Sequence, residues 1–206
     1  MDTSTTRVAV WVRALVASAP CWLLLGCAVG PGNVQVPLAA YPAAPAVAAT
    51  RGVVQVEPVR DARRDAVGRL VGQRTGLGGM SMGQIEVSPA PTATVTSVLQ
   101  TELRGLGFTL SDGGAPVQLS ARLTRFEVQT PATAVYWDVN GAVDLEVDAK
   151  RPDGRQQAAS YQARCTERTY AWPSEDVIAK SLGACLRDLG SRIRADGALA
   201  SFLTNP

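Results

Sequence analysis

Residues 139–165 read VNGAVDLEVDAKRPDGRQQAASYQARC, and this stretch decides the fold. Apolar residues or glycine occupy every second position from Val139 to Ala149, with acidic residues between them at 144, 146 and 148. This alternation is typical of a strand with one buried and one solvent-exposed face. The turn Arg151-Pro-Asp-Gly154 separates it from a second alternating run over 156–169. A short turn between two such strands predicts an antiparallel pair.

The flanking sequence adds a third long strand and two helices. Residues 117–123 alternate in the same way, but Phe126 and Val128 switch phase, which predicts a bulge near Arg125. Shorter strands are predicted at 53–59 and 84–87. A helix after Pro91 has an apolar face at three- and four-residue spacing, and Gln100, Glu102 and Arg104 are assigned to its other faces. A second helix is capped by Ser174, with an apolar stripe formed by Ile178, Leu182, Cys185, Leu189 and Ile193.

These elements predict the class of fold. One-sided strands and one apolar stripe per helix fit two packed layers. We therefore predict an α+β fold, an antiparallel sheet with two main helices packed on one face. It forms a single domain over residues 51–206.

The N-terminus has the features of an export signal. Residues 1–26 carry Arg7 and Arg13 before an apolar run that is too short to span a bilayer. The run ends in Leu24-Leu25-Gly26-Cys27, which resembles the lipobox of bacterial lipoproteins, although Leu25 is bulkier than usual at its place. The resemblance implies cleavage before Cys27, a lipid attachment site on its thiol and anchorage to a membrane. The alternative is an ordinary secreted protein, or an uncleaved anchor.

Residues 27–50 are interpreted as the lipidated cysteine and a tether rich in proline and alanine, without a helical or strand period. The segment could instead lie across another protein. Ala28 and Val29 follow the cysteine where inner-membrane lipoproteins typically have aspartate. This favours a lipid-anchored protein of the outer membrane that faces the periplasm.

Two cysteines remain in the exported domain. Cys21 lies in the leader, Cys27 is predicted to be acylated, and Cys165 and Cys185 are left for an oxidising compartment. Cys165 lies on the inward face of its strand together with Tyr161 and Ala163, and Cys185 lies on the apolar stripe of the last helix. We predict a disulfide between them. The alternative is two buried free thiols that act as small apolar side chains.

Several patterns could be interpreted as binding or catalytic sites, and each also has a plainer structural interpretation. The glycine-rich segment 76–83 lacks the Gly-Lys-Ser/Thr ending of a phosphate loop, and it is read as a flexible loop. Met80 and Met82 are a weak candidate for copper. Asp61 and Asp65 are read as part of an ion-pair cluster with neighbouring arginines rather than as a catalytic carboxylate pair. The acidic strip at 144, 146 and 148 is read as a solvated face paired with arginines 122, 164 or 168.

A group of aromatic residues is a further candidate. Tyr136, Trp137, Tyr170 and Trp172 would meet at one strand end, either as a recognition patch or as ordinary packing.

The chain as a whole resembles the YajG-type lipoproteins of Gram-negative bacteria. The shared features are the lipobox and the segments Asp61-Ala-Arg63, Leu103–Phe108, Val117–Leu123, Val143–Val147, Tyr161–Arg164 and Asp196–Leu199. The resemblance implies an envelope lipoprotein without an established activity, and it supplies no catalytic, metal or cofactor residue.

The functional expectation is therefore a binding role. The sequence contains no histidine, the commonest general base, and we expect neither an enzyme nor a cofactor. Without the leader the net charge is +1, which gives no case for nucleic acid. We predict a non-enzymatic lipoprotein that binds an envelope protein or a glycan. The alternatives are a carrier of lipid or small apolar ligands that assists an envelope transport system and, ranked last, a carboxylate hydrolase.

Overall fold

The computed structural model describes residues 33–42, 51–64 and 68–204, which form strands and helices around one core. In chain order the elements are β1 (Val34–Pro37), β2 (Gly52–Val56), β3 (Arg60–Asp61), β4 (Leu70–Thr75), β5 (Ser81–Ser88), α1 (Pro91–Gly105), β6 (Phe108–Ser111), β7 (Val117–Thr130), β8 (Trp137–Lys150), β9 (Gln156–Thr169), α2 (Glu175–Ala195) and α3 (Gly197–Thr204).

Three long strands, β7, β8 and β9, form the antiparallel meander that the sequence predicts. The turn between β8 and β9 closes with the Gly154 amide donating to the Arg151 carbonyl. The register of β7 against β8 shifts between Leu123 and Arg125, and this is the predicted bulge. It returns Phe126 and Val128 to the buried face after the phase change in the sequence.

The other edge of β7 pairs with three short strands in succession. The strands β2, β3 and β4 lie parallel to it, opposite its first, middle and last residues respectively. β6 pairs with β2, β5 pairs with β4, and β1 pairs with β5. The α+β class is confirmed, but the sheet is mixed rather than antiparallel throughout. Alternation shows which face of a strand is buried and not which strand lies beside it, so it could not reveal the parallel pairs.

The two main helices pack against each other and against the apolar face of the sheet. Ser174 caps α2 as predicted, with its side chain accepting from the Val177 amide. Pro91 begins α1 at a position where its missing N–H costs no hydrogen bond. The last apolar residues form a separate short helix, α3, which adds Leu199 and Leu203 to the core.

The N-terminal segment differs from the sequence-based interpretation. Within residues 27–50, the described part 33–42 is not a free tether, because β1 pairs with β5 and buries Val34 and Val36. Leu38 continues the contact, since its amide donates to the Ser88 carbonyl and its side chain is buried. Two buried valines in a four-residue strand give too short a pattern for sequence analysis to detect. Residues 27–32 and 43–50 lie outside the described residues.

Candidate functional site

The face of β7, β8 and β9 that points away from the helices, here called the outer face, carries the acidic strip. Glu146 pairs with Arg122 on β7 at 2.9 Å. Asp144 accepts a two-pronged contact from Arg164 on β9. Asp144 and Glu146 therefore form cross-strand ion pairs, as the plainer interpretation predicts, although Arg168 pairs with Asp138 instead of a member of the strip.

The Asp61–Arg63 cluster joins β3 to the start of β4. The Arg63 guanidinium donates to both Asp61 carboxylate oxygens and to the carbonyls of Leu70 and Gly68. The Arg63 side chain is only 3% exposed, so this buried arginine holds the end of β3 against the start of β4. These hydrogen bonds hold the pKa of the Asp61 carboxyl below its ordinary value. Asp65, the other carboxylate of the proposed pair, lies outside the described residues.

A groove of about 1140 Å³ runs along the outer face beside this cluster. Phe126 and its neighbours at the β7 bulge contribute to its lining. Its charged lining consists of Arg63, Arg64, Arg125, Glu127, Asp144 and Glu146. Such a lining suits a polar ligand or a protein surface better than an apolar one. It does not favour the lipid-carrier alternative.

The glycine-rich segment 76–83 is a loop only in part: residues 76–80 connect β4 to β5, and residues 81–83 already belong to β5. Gly78 and Gly79 have φ of 72° and 78°, a conformation that glycine adopts at low cost. Met80 is 65% exposed, whereas Met82 packs against Gly76, so the two sulfurs belong to different environments. Among the described residues, no group of three or more histidine, cysteine or acidic side chains could hold a metal ion.

The disulfide joins the sheet to α2. Cys165 and Cys185 are bonded with their Cα atoms 5.3 Å apart, in agreement with the prediction from their inward faces. Gly141 lies opposite Cys165 in the register of β8 and β9. A Cβ atom at this position would lie 2.5 Å from one sulfur and 2.9 Å from the other, so the glycine provides the space that the bridge occupies.

The aromatic residues singled out from the sequence do meet, at the end of the sheet where β8 begins and β9 ends. Tyr136 contacts Tyr170 edge to face, and Trp137 contacts Trp172 in the same way. The Arg168 guanidinium stacks on the Tyr136 ring, and Arg74 lies over Trp172. Two N–H donors of this group, Arg74 Nε and Trp137 Nε1, have no hydrogen-bond acceptor among the described residues.

A buried polar cluster between α1 and α2 was missed by sequence reasoning. Glu102, assigned above to the exposed faces of α1, is completely buried. It accepts hydrogen bonds from the Tyr41 hydroxyl at 2.6 Å and from Arg194 Nε at 2.7 Å. Burial and the Glu102 acceptor raise the pKa of the Tyr41 hydroxyl. A signal was present, because Glu102 follows Val98 by four residues and so lies on the apolar stripe.

Gly190 on α2 makes this cluster possible. A Cβ atom there would lie 2.0 Å from the Tyr41 hydroxyl oxygen and 2.7 Å from Glu102 Oε1. The cluster thus ties the N-terminal segment to both main helices.

Comparison with known proteins identifies the family. The model of a family described as uncharacterized lipoprotein matches residues 45–204, which is most of the chain. The chain belongs to this lipoprotein family. The match agrees with the resemblance found in the sequence and places the lipoprotein in association with the cell envelope. No curated protein matches its sequence.

One solved structure shares the fold of this lipoprotein, and a second is similar to it over a large part of the chain. A Xanthomonas campestris protein matches with a TM-score of 0.55 at 10% identity, over 83% of this chain and 97% of that one. A minor lipoprotein from Acinetobacter baumannii matches with a TM-score of 0.44 at 11% identity, over 74% of this chain and 94% of that one.

Cys27, the predicted lipid attachment site of the lipoprotein, lies outside the described residues. In the part of the chain that the structure describes, no helix is long and apolar enough to cross a membrane.

Proposed function

We propose that the protein is anchored by acyl chains on Cys27 in the outer membrane, faces the periplasm, and binds another envelope protein or a glycan without catalysing a reaction. The observation that carries this proposal is the free edge of β9 beside the polar outer face. A protein partner is favoured over a glycan because a protein can add a strand to this edge.

The edge strand β9 offers backbone hydrogen-bonding groups. It is 14 residues long, and among the described elements it pairs only with β8. The other edge of such a strand presents a row of N–H and C=O groups that can accept a further strand. The exposed side chains of Ser160, Gln162 and Thr166 lie along this strand on the outer face. A partner that adds a strand to β9 could therefore also contact the outer face.

The charges of the outer face support binding rather than catalysis. Asp61, Glu127 and Asp144 each accept hydrogen bonds from an arginine, namely Arg63, Arg125 and Arg164 respectively. A general acid usually needs a raised pKa, but the pKa of Asp61 is lowered. Ion pairs of this kind can fix the orientation of a polar partner and disfavour wrong ones.

The anchor is tested by a Cys27→Ser variant of the full-length protein. The wild type should fractionate with membranes and carry acyl mass on its N-terminal cysteine. The variant should lack the acyl mass and leave the membrane fraction after processing. Equal membrane association of both proteins, with no acyl mass in either, would refute the anchor.

The binding role is tested by photo-crosslinking in intact envelopes. A photoreactive residue replaces Gln162 on β9 and, as the matched control, the exposed Ala195 at the end of α2. We expect one discrete crosslinked species from position 162 and none from position 195. A polysaccharide adduct in place of a protein adduct would identify a glycan partner. Absence of a specific adduct at position 162 would contradict the proposal.

A further inference from the structure

Exposed apolar side chains are concentrated at one end of the sheet. Six large hydrophobic residues are exposed in the described part of the chain, and Val53 is the one that lies elsewhere. The other five lie in the connection from β4 to β5 and in the segments before β8 and after β9. Together with their two neighbours Tyr136 and Trp137 they form a surface that we call the aromatic end: Leu77, Met80, Val135, Tyr136, Trp137, Tyr170 and Trp172.

The strand nearest the predicted anchor enters the sheet from this same end. Val34, the first residue of β1, pairs with Ile85. The pairing continues across the sheet in a single row through residues Gly72, Val128, Gly141 and Cys165. From Gly141 the aromatic end begins only four residues away, at Trp137, because β8 starts there. The start of β1 therefore points toward the aromatic end.

The length of the intervening chain limits how the domain can stand on a membrane. Six residues separate Cys27 from Val34, and a fully extended chain of this length reaches about 25 Å. From the row that contains Gly141, the aromatic end is about 14 Å away, since a strand rises about 3.4 Å per residue. The opposite end of β8, at Lys150, is about 30 Å away in the other direction. The anchor can thus bring the aromatic end to the bilayer, but not the opposite end.

We propose that the aromatic end rests on the phospholipid bilayer that carries the anchor, with its exposed side chains inserted in the interfacial region. The inference rests on the acylation of Cys27 proposed above. Tyrosine and tryptophan favour this region because they have apolar rings and a polar atom that can remain hydrated. Apolar side chains there would enter the boundary between headgroups and acyl chains to a depth of about 5–10 Å.

Charged groups at this end suit the headgroup layer. Arg74 and Arg168 lie on aromatic rings at this end; Arg168 is already paired with Asp138, and the positive charge of Arg74 can interact with lipid phosphate. In this orientation β9 is roughly perpendicular to the membrane, and its free edge extends away from the bilayer and is accessible from the periplasm.

The tryptophans of the protein provide a direct test. Of the four in the sequence, two belong to the leader, so the processed lipoprotein has only Trp137 and Trp172. Both lie in the aromatic end. The acylated wild-type protein is reconstituted in phosphatidylcholine vesicles with or without lipids brominated near the headgroup. We expect brominated lipid to reduce tryptophan emission by roughly half, because the rings lie within the interfacial region.

Flotation and three variants separate this inference from the anchor itself. Vesicle flotation of the same sample reports anchorage independently of fluorescence. A variant with Trp137→Phe, Trp172→Phe and Asp153→Trp moves the reporter to the turn between β8 and β9, and its emission should be unaffected by bromine. The double variant Leu77→Glu and Val135→Glu should float but lose most of the quenching, whereas Val53→Glu should keep it.

The outcomes are distinct. Flotation with quenching at the aromatic end and none at position 153 supports the inference. Flotation without quenching, or with equal quenching at both ends, overturns it and leaves the anchor intact. Failure to float overturns both proposals.

Discussion

The hydroxyl group of Tyr41 should contribute measurably to the stability of the whole domain. It donates a 2.6 Å hydrogen bond to Glu102, which is completely buried. A hydrogen bond to a charged group contributes about 1.5–3 kcal/mol, and its loss leaves a buried carboxylate oxygen with one donor fewer. The Tyr41→Phe variant keeps the ring and removes only the donor. We expect the free energy of unfolding to fall by about 2 kcal/mol.

The assay is urea unfolding of the domain, followed by circular dichroism at neutral pH. The midpoint should fall while the slope stays constant, because the surface exposed on unfolding is the same. Tyr170→Phe is the matched control, since Tyr170 is 73% exposed and its variant should change stability by less than about 0.5 kcal/mol. Hydrogen exchange should also accelerate at the Leu38 amide in Tyr41→Phe. If the two variants are equally stable, residues 33–42 are not bound to the helices as described.

Three further predictions concern the disulfide and the Asp61 cluster. Reduction of the Cys165–Cys185 bond, which closes a loop with a sequence separation of 20, should lower stability by about 3 kcal/mol, and an unchanged urea midpoint after reduction would contradict this. Gly141→Ala should destabilise the oxidised domain by about 1–3 kcal/mol, because its Cβ would overlap both sulfurs; wild-type stability would show that the space is not occupied. Asp61→Asn should cost about 1 kcal/mol at pH 7. Since the folded-state pKa of Asp61 is lowered, its contribution is present above about pH 4 and is lost as the pH falls through that pKa, so the stability difference between wild type and variant should shrink in urea titrations as the pH is lowered below about 4.

Sequence reasoning succeeded where the pattern is long. The three strands β7, β8 and β9 each span 14 residues, enough for the alternation of buried and exposed positions to appear. The same length made the bulge near Arg125 visible as a change of phase. The Cys165–Cys185 disulfide could be predicted from the same patterns, because the position of a residue in a strand or helix determines the direction of its side chain.

It failed where the elements are short and their partners are distant. β1 has four residues and β3 has two, so neither contains a full pattern. Both strands pair in parallel, and a parallel pair is not joined by a short turn that could be recognised in the sequence. Glu102 was misassigned because a charged residue is normally exposed, and its partner Tyr41 comes from a segment that sequence composition described as a tether.

One edge of β7 pairs with β2, β3 and β4 in succession, and this arrangement also determines when the domain can fold. Val54 pairs with Val117, 63 positions later, and the strands β2, β3 and β4 all require β7. An exported chain crosses the membrane with its N-terminus first, so these strands emerge long before the strand that they pair with. β7, β8 and β9, by contrast, are adjacent along the chain and can pair as soon as they appear. Folding is therefore expected to begin at the C-terminal half and to reach back for the N-terminal strands, and until then their apolar residues would need protection by envelope chaperones.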